Sequence, residues 1–488
     1  MIQEGIDSGA WFRLTLDGEP YYNKPPFKMW LTRVVVDLFG EGNFQYRLLD
    51  GLATMGTVVV TILLAFRLFG CHLSAILSAL LLLGSWDFLV ESRNNQGTQD
   101  AMLLFLVTTS MLVGWRLLQY AQAGESRGVQ SSIVALAVPL GLAISTKSLA
   151  GGLPILLLLI ALLMTLRSAF VTFIVRYWKT LLLAALIVVA IPGLYYIPLF
   201  VREPTAWGYV FHGEIYNRLL GEGYHNKGRW EFYLSGIFVR RPTVPVALVL
   251  LGSVVAVAQM VCGRARMAWT FILLWIVVPL ILYSSFSSRV FHYIAPVFPP
   301  LAILSGQGLA WGTTAALQLI RERSLPVAAT LAVFTTLVLL PYYYLVGSNL
   351  RSTIRSVSTS GKKIDIEEIV TGIQNAREQG PARVIMFDMD RFLSGTGNQV
   401  WRFKFYLHLI RNKLRHESQM AQLRPEATLP GTLWILAPIE HKEALLDLSL
   451  PCEVLPFVHP EGKRSHYRSN EVRQGLGNPQ FILVRYQY

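Results

Sequence analysis

The chain has little charge and almost no cysteine. Asp, Glu, Lys and Arg make up only 15% of its 488 residues, whereas soluble globular chains carry about 25%. Hydrophobic residues account for 53%, which excludes an ordinary soluble domain and indicates a chain that crosses a membrane several times. Of its three cysteines, Cys71 and Cys262 fall at predicted cytoplasmic ends of spans. Only Cys452 falls in the predicted outer tail, so no cysteine pair is available there for an oxidising compartment to join.

Long apolar runs predict about ten membrane spans, each close to the length of a bilayer-crossing helix. Runs such as GLPILLLLIALLMTL and TLLLAALIVVAIPGLYYIPLF are typical of such helices. We expect the spans near residues 45–68, 72–90, 99–119, 130–146, 150–166, 179–201, 243–262, 267–286, 291–318 and 326–347. The predicted fold class is therefore a polytopic α-helical membrane protein.

The basic residues behind the net charge of +13 are distributed unevenly among the predicted loops. Many basic residues lie in every second loop between spans: Arg67, Arg116, Arg127, Arg167, Arg176, Lys179, Arg264, Arg266, Arg321 and Arg323. The alternate short loops hold only Arg93, Lys147 and Arg289. This is the positive-inside pattern, and it places the tail after residue 348 on the outer side. Basic residues that follow membrane topology argue against nucleic acid as a partner.

Composition divides the chain into three regions. Residues 1–44 form a polar lead-in with an amphipathic helix, residues 45–347 form the membrane bundle, and residues 351–488 form a small α/β domain on the outer face. In this last region, KKIDIEEIVTGIQNAREQ predicts an amphipathic helix. The segments ARVIMFDMD, TLWILAP and QFILVRYQY predict buried strands.

The lead-in contains the stretch LDGEPYYNKPPFKMW, which places Lys24 between a tyrosine pair and a proline pair. The prolines favour a helix start and hold Lys24 in an extended approach to it. Helical spacing then repeats in Phe27, Trp30, Leu31, Val34 and Leu38, while Lys28, Thr32 and Asp37 take other positions. Such a helix is suited to lie along a membrane surface. Lys24 either binds a ligand through its positive charge or anchors the helix at the membrane interface.

Polar residues collect on the predicted outer face. Asp100 begins the third span, where helix capping explains it as well as function does. The long outer loop carries Glu214, Arg218, His225, Lys227 and Arg229, for which solvated loop charge is the simpler explanation. Arg289 and His292 lie at another outer mouth, and His292 fits an interface residue beside Tyr293 equally well.

Taken together, these residues predict an outward-facing pocket with several cations and few acids. Lysine and arginine at a membrane interface suit the phosphate of an anionic lipid headgroup. A carboxylate beside them can act as a base or as a partner of a metal ion.

Six separated motifs carry a family resemblance: DGEPYYNKPPFKMWL, FQYRLLDGL, ESRNNQGTQDAMLLF, STKSLAGGLPILLLL, GYHNKGRWEFY and RVFHYIAPVFPPLAIL. Over about residues 1–320 the chain resembles bacterial GT-C glycosyltransferases of the dolichyl-phosphate-mannose protein mannosyltransferase type, which include lipid A aminoarabinose transferases. The resemblance implies a multi-pass protein of the bacterial inner membrane with a periplasmic C-terminal domain. It implies transfer of a sugar from a polyprenyl-phosphate donor to a lipid or protein acceptor, with membrane lipids as neighbours.

The resemblance also implies roles for single residues. Lys24 is expected to contact the lipid phosphate, and Tyr21 and Tyr22 to border it. Asp100 is expected to be the second acidic residue of the site, next to a catalytic carboxylate that relatives carry after their first span, and we assign the catalytic role to Asp100 among the residues present. Further substrate contacts are expected from Arg47, Arg93, Glu214, Arg218, His225, Arg289 and His292.

Two departures from the family pattern matter. Relatives carry a first span followed by an acidic residue, and this chain begins after that place, so we expect a span upstream of Met1 or an inactive copy. Asn23 precedes Lys24, and its amide is a weaker ligand for a hard metal than a carboxylate. A divalent metal therefore stays possible, and no other cofactor is implied.

Two further functions compete with sugar transfer. A transporter or flippase for an anionic lipid would also need outer cations, but it should carry polar or helix-breaking residues in paired halves. Pro139, Pro192 and Pro198 interrupt predicted spans without such symmetry and without a charged mid-span pair. A non-catalytic scaffold that presents the outer domain is the third possibility. The identity of the sugar and of the acceptor is left open by the sequence.

Overall fold

The computed structural model describes residues 5–6, 9, 11–16, 19–22, 24–40, 42–85, 88–89, 98–211, 231–240, 246–286 and 289–322, and five strands after residue 381. The chain divides into two compact units, Met1–Leu350 and Arg351–Tyr488. Each is considered by itself.

Helices fill the first unit. They are α1 (Phe27–Phe39), α2 (Asn43–Phe69), α3 (His72–Gly84), α4 (Asp100–Ala123), α5 (Ser126–Lys147), α6 (Leu153–Leu166), α7 (Phe170–Arg202), α8 (Val246–Val261), α9 (Arg266–Ser284) and α10 (Phe298–Glu322). A two-stranded hairpin of β1 (Thr15–Leu16) and β2 (Glu19–Pro20) precedes α1. Short 3-10 segments occupy Ser148–Gly152 and Phe291–Val297.

Helices α2 to α10 coincide with nine of the predicted spans, and the predicted span 326–347 lies outside the described residues. In the described part of the chain, five segments are long and apolar enough to cross a membrane: Phe44–Phe69, Asp100–Ala123, Ser126–Arg202, Arg266–Ser284 and Phe291–Gln318. Helices α3 and α8 are apolar but shorter. The polytopic α-helical class is confirmed, and the count of ten stays a prediction.

The centre of the bundle is α10, and residues 294–310 are all buried. Helices α3, α8 and α9 pack against it. The approach to α8 is so close that a Cβ on Gly308 would lie 2.5 Å from the Cα of Gly252. Small residues allow helix backbones to meet in this way where a membrane offers no hydrophobic drive for association.

Helix α1 forms where the prolines predicted it, and it buries two polar residues together with the apolar Met29 and Val36. The polar residues Lys28 and Thr32 are buried, whereas Val34 and Leu38 are exposed. A helix on a soluble protein would show the reverse pattern. Helix α1 packs on α2 and α5, so its polar side meets the bundle and part of its apolar side is left for a membrane.

The second unit contains a five-stranded mixed sheet in the order β4-β3-β5-β7-β6. Its strands are β3 (Ala382–Phe387), β4 (Leu414–Glu417), β5 (Thr432–Pro438), β6 (Cys452–Phe457) and β7 (Phe481–Gln487). Strand β3 runs parallel to β4 and β5, and β7 runs antiparallel to β5 and β6. The three predicted strands are confirmed as β3, β5 and β7. The predicted helix at 362–379 lies outside the described residues.

Candidate active site

The site is built around Asp100, the first residue of α4. The side chain is 7% exposed and forms an ion pair with Lys147. Thr98 donates its Oγ1 hydrogen to Asp100 Oδ2 at 2.9 Å. Asp100 is thus held by side chains from two parts of the chain, which helix capping alone does not require.

Lys147 is the principal residue of this site that the sequence reasoning missed. It is the last residue of α5, and its Nζ also lies 5.6 Å from the ring centroid of Tyr293. The chain turns sharply after it, because Gly151 packs back on α5 so closely that a Cβ would lie 2.2 Å from the carbonyl carbon of Ala143. Its place in a predicted outer loop with few basic residues was the signal that could have identified it.

A turn made of Lys24, Pro25 and Pro26, called here the proline turn, lies against the start of α4. Gln99 donates its Nε2 hydrogen to the carbonyl oxygen of Pro25 at 2.9 Å. Both prolines are buried, and Lys24 is half-buried. The structure therefore brings the turn that carries Lys24 next to the residue preceding Asp100, as two of the quoted motifs together suggested.

A second buried ion pair lies in the first turn of α1, four residues after Lys24. Lys28 Nζ is 3.1 Å from Asp50 Oδ1 on α2, and the two side chains are only 1% and 0% exposed. Burial lowers the pKa of Lys28, and the Asp50 carboxylate opposes that shift. Lys28 also interacts electrostatically with Asp100. The sequence reasoning placed neither Lys28 nor Asp50 in the site.

Tyr22 faces a different partner from the one expected. Its hydroxyl donates a hydrogen bond to the carboxylate of Glu203, just after the end of α7. Its ring lies 5.6 Å from that of Tyr209. Burial, with help from the hydrogen bond and charge of Glu203, raises the pKa of Tyr22 to about 12. Tyr21 is half-buried beside it and donates its backbone N–H to the Leu14 carbonyl oxygen at 2.8 Å.

The remaining predicted residues are divided between the site, other contacts and the undescribed part of the chain. His292 interacts electrostatically with Asp100 and meets the Tyr293 ring edge to face at 4.9 Å. Arg289 instead donates from Nη2 and Nε to the Ser284 carbonyl oxygen at 2.8 and 3.2 Å, near the end of α9. Arg47 is exposed near the start of α2. Arg93, Glu214, Arg218 and His225 lie outside the described residues.

The arrangement combines two buried carboxylates, Asp50 and Asp100, with lysines from α1, from α5 and from the proline turn. Among the residues that the structure describes, no group of three or more His, Cys, Asp or Glu side chains is placed to hold a metal ion. A lysine held by a carboxylate is a fixed positive charge that can bind an anionic group such as phosphate. The site can therefore bind an anion and offer a carboxylate to a neighbouring hydroxyl.

Comparisons with known proteins agree with the fold and the motifs. Residues 3–209 match the family model described as dolichyl-phosphate-mannose-protein mannosyltransferase. The chain is 29% identical over 307 residues to the undecaprenyl phosphate-alpha-4-amino-4-deoxy-L-arabinose arabinosyl transferase of Edwardsiella ictaluri, which covers 62% of this chain and 52% of that protein. The chain thus spans about half the length of the curated relatives it matches.

Solved structures show the same fold. The crystal structure of ArnT from Cupriavidus metallidurans bound to undecaprenyl phosphate superposes with a TM-score of 0.64 at 18% identity, covering 99% of this chain and 92% of that one. The oligosaccharyltransferase of Archaeoglobus fulgidus gives 0.52 at 11% identity, covering 90% and 65%. The fold is that of a polytopic membrane protein of the GT-C type. The resemblance to the aminoarabinose transferases among these glycosyltransferases is confirmed.

Proposed function

We propose that the chain is a glycosyltransferase that moves a sugar from a polyprenyl-phosphate donor to a lipid A-like lipid or a protein acceptor. The reaction takes place at the outer face of the bacterial inner membrane, and residues 351–488 form a periplasmic domain. The names of the relatives support undecaprenyl phosphate as the carrier and a pentose, 4-amino-4-deoxy-L-arabinose, as the sugar.

One observation carries this proposal: the Asp100–Lys147 ion pair is buried where α4 begins and α5 ends, and it lies next to the proline turn that Gln99 binds. The loop charges of the sequence predict that this end of the bundle faces outward. Burial of two charges has a large desolvation cost, and a hydrophobic pair of similar size is often at least as stable. The pair is therefore better explained by chemistry than by stability. Its position beside Lys24 suits a lipid phosphate that enters from the membrane.

The chemistry assigns a task to each group. The acceptor oxygen forms a bond to C1 of the sugar while the bond from C1 to the phosphate oxygen breaks, with inversion at C1. The electron pair leaves with the polyprenyl phosphate, whose growing negative charge is neutralised by Lys24 and Lys147. A hydroxyl acceptor gives its proton to Asp100, whereas a phosphate acceptor is already anionic and needs no base.

Other predicted contacts fit around this core. His292 interacts electrostatically with Asp100 and is proposed to contact the acceptor. Arg93, Glu214, Arg218 and His225 stay predictions from the sequence, as does a divalent metal bound with the phosphate. Tyr22, two residues before Lys24, donates a hydrogen bond to Glu203 and is proposed to border the phosphate.

The test is transfer of labelled aminoarabinose from its undecaprenyl phosphate carrier to lipid A by the purified protein in lipid nanodiscs, expressed with any in-frame span that its gene encodes upstream of Met1. We expect labelled lipid A from the parent and none from Lys147→Met, with the exposed Lys179→Ala as a matched control that retains activity. A parent that moves the labelled donor between leaflets of a vesicle without transferring its sugar would instead be a transporter. Absence of both transfer and movement would support the non-catalytic scaffold.

A further inference from the structure

The Lys28–Asp50 ion pair has no task in the reaction above, although it is the most completely buried ion pair that the described residues show. It joins α1 to α2 at 3.1 Å, and neither side chain is more than 1% exposed. A pair kept for stability alone would gain little here, because apolar replacements of similar size often do as well. Its location next to the site calls for another explanation.

The geometry links the pair to the proline turn. Lys28 follows Lys24 by four residues, and Pro25 and Pro26 leave little backbone freedom between them. Fixing Lys28 on α2 therefore fixes the start of α1 and the turn that precedes it. Gln99 holds the same turn from α4 at 2.9 Å. The proline turn is thus held on two sides. Lys28 ties it to Asp50 on α2, and Gln99, the residue just before Asp100 and α4, binds it directly.

We propose that Lys28 and Asp50 are positioning residues that hold the proline turn, and with it Lys24, at the place where the donor phosphate binds. The part concerning the phosphate rests on the function proposed above. The ion pair specifies one arrangement of α1 against α2, because a charge that slides away from its partner is left buried and unpaired. An apolar contact in the same place would allow α1 to shift along its axis with little change in free energy.

The first test measures position without using activity. Lys24→Cys is introduced into a chain whose native cysteines are replaced by serine, and the rate of its reaction with a membrane-impermeant maleimide is measured. The double variant Lys28→Met with Asp50→Leu removes both charges together, so the fold is expected to survive. We expect faster labelling at position 24 in the double variant than in the parent. An unchanged rate would overturn the positioning role.

The second test measures binding of undecaprenyl phosphate by the full chain in nanodiscs. We expect the dissociation constant to rise by about tenfold or more in the double variant, since small misplacements of a positioned group cost up to about a hundredfold. Lys28→Arg keeps the cation and should retain most of the affinity. A merely structural role would lower the amount of folded protein and leave the affinity of the folded fraction unchanged.

The two tests separate the inference from the proposed function. A parent that does not bind undecaprenyl phosphate contradicts the proposed function, and the labelling rate then decides the positioning role alone. A parent that binds, together with a double variant that binds equally well, overturns the link between the ion pair and the donor.

Discussion

Lys147→Met should lower both the stability of the bundle and the activity of the site. The substitution keeps the length of the side chain and removes its charge, which leaves Asp100 buried without its ion-pair partner. Removing one member of a buried pair typically costs about 3–5 kcal/mol. The side chains of Lys147 and Asp100 are only 11% and 7% exposed, so solvent relieves little of that cost.

The measurement is a double-mutant cycle on the free energy of unfolding in a fixed detergent. Unfolding is monitored through the fluorescence of the 12 tryptophans. The singles are Lys147→Met and Asp100→Leu, and the double variant should recover most of the lost stability because no unpaired charge is left. Activity should not recover, since both groups act in transfer. Asp37→Asn is the control: its carboxylate, 3.7 Å from Arg33, is 45% exposed, and such pairs contribute at most about 0.5 kcal/mol.

Two results would refute this reasoning. If the losses from the two singles simply add in the double variant, the two groups are not coupled and the pair is not formed in the membrane. If the double variant regains transfer along with stability, Asp100 and Lys147 only hold the bundle together. In that case the catalytic carboxylate must be sought elsewhere in the chain.

The remaining predictions concern the groups around this pair. Gln99→Leu should raise the apparent KM for the donor in a transfer assay, because it removes the hydrogen bond to the proline turn, worth about 1 kcal/mol. Gly151→Ala should lower both the melting temperature and kcat, because its Cβ would lie 2.2 Å from the backbone of α5 and displace Lys147; unchanged values would contradict the close approach. Tyr22→Phe should change how the free energy of unfolding depends on pH. Folding raises the pKa of Tyr22 to about 12, so its neutral form contributes its full stability below the unfolded pKa of about 10. That stability is lost as the pH rises toward 12. The variant should not show that loss, and identical profiles would remove the hydrogen bond to Glu203. A cysteine introduced into residues 351–488 should react with an impermeant maleimide in intact cells, and labelling only after permeabilisation would reverse the topology.

The helices were predictable from the sequence because each helix that crosses the hydrocarbon core of a bilayer needs a long run of apolar residues. The side of α1 that is buried was not, since Lys28 and Thr32 look like solvent-facing residues until their neighbours are known. In a bundle surrounded by lipid, polar side chains turn inward and apolar ones outward, so an amphipathic pattern gives the helix but not its orientation.

The strands that the sequence missed share a physical reason. Strand β6 contains Pro456, and the short strand β4 reads LRHE, so neither resembles a buried central strand. Both lie at the edges of the sheet. Edge strands tolerate proline and charge, and such residues discourage pairing with other chains. Local pattern identifies the centre of this sheet better than its margins.

Ion pairs were the least predictable part of the site. Asp50 and Lys28 are 22 positions apart and Asp100 and Lys147 are 47 apart, and no local spacing connects them. Lys147 looked like a topology signal, one of a few basic residues in the outer loops. Only the packing of α1, α2, α4 and α5 brings each lysine to its carboxylate.

The choice of lysine at position 147 suits the proposed reaction. An ammonium group has three hydrogens to donate, and the hydrogen bond to Asp100 uses one of them. The group is thereby fixed in place while it can still donate to a phosphate oxygen. As the bond to the sugar breaks, negative charge grows on that oxygen, and a cation already in position stabilises it without moving. A buried ion pair stabilises a membrane bundle poorly, but it keeps a positive charge in place for the phosphate in the proposed reaction.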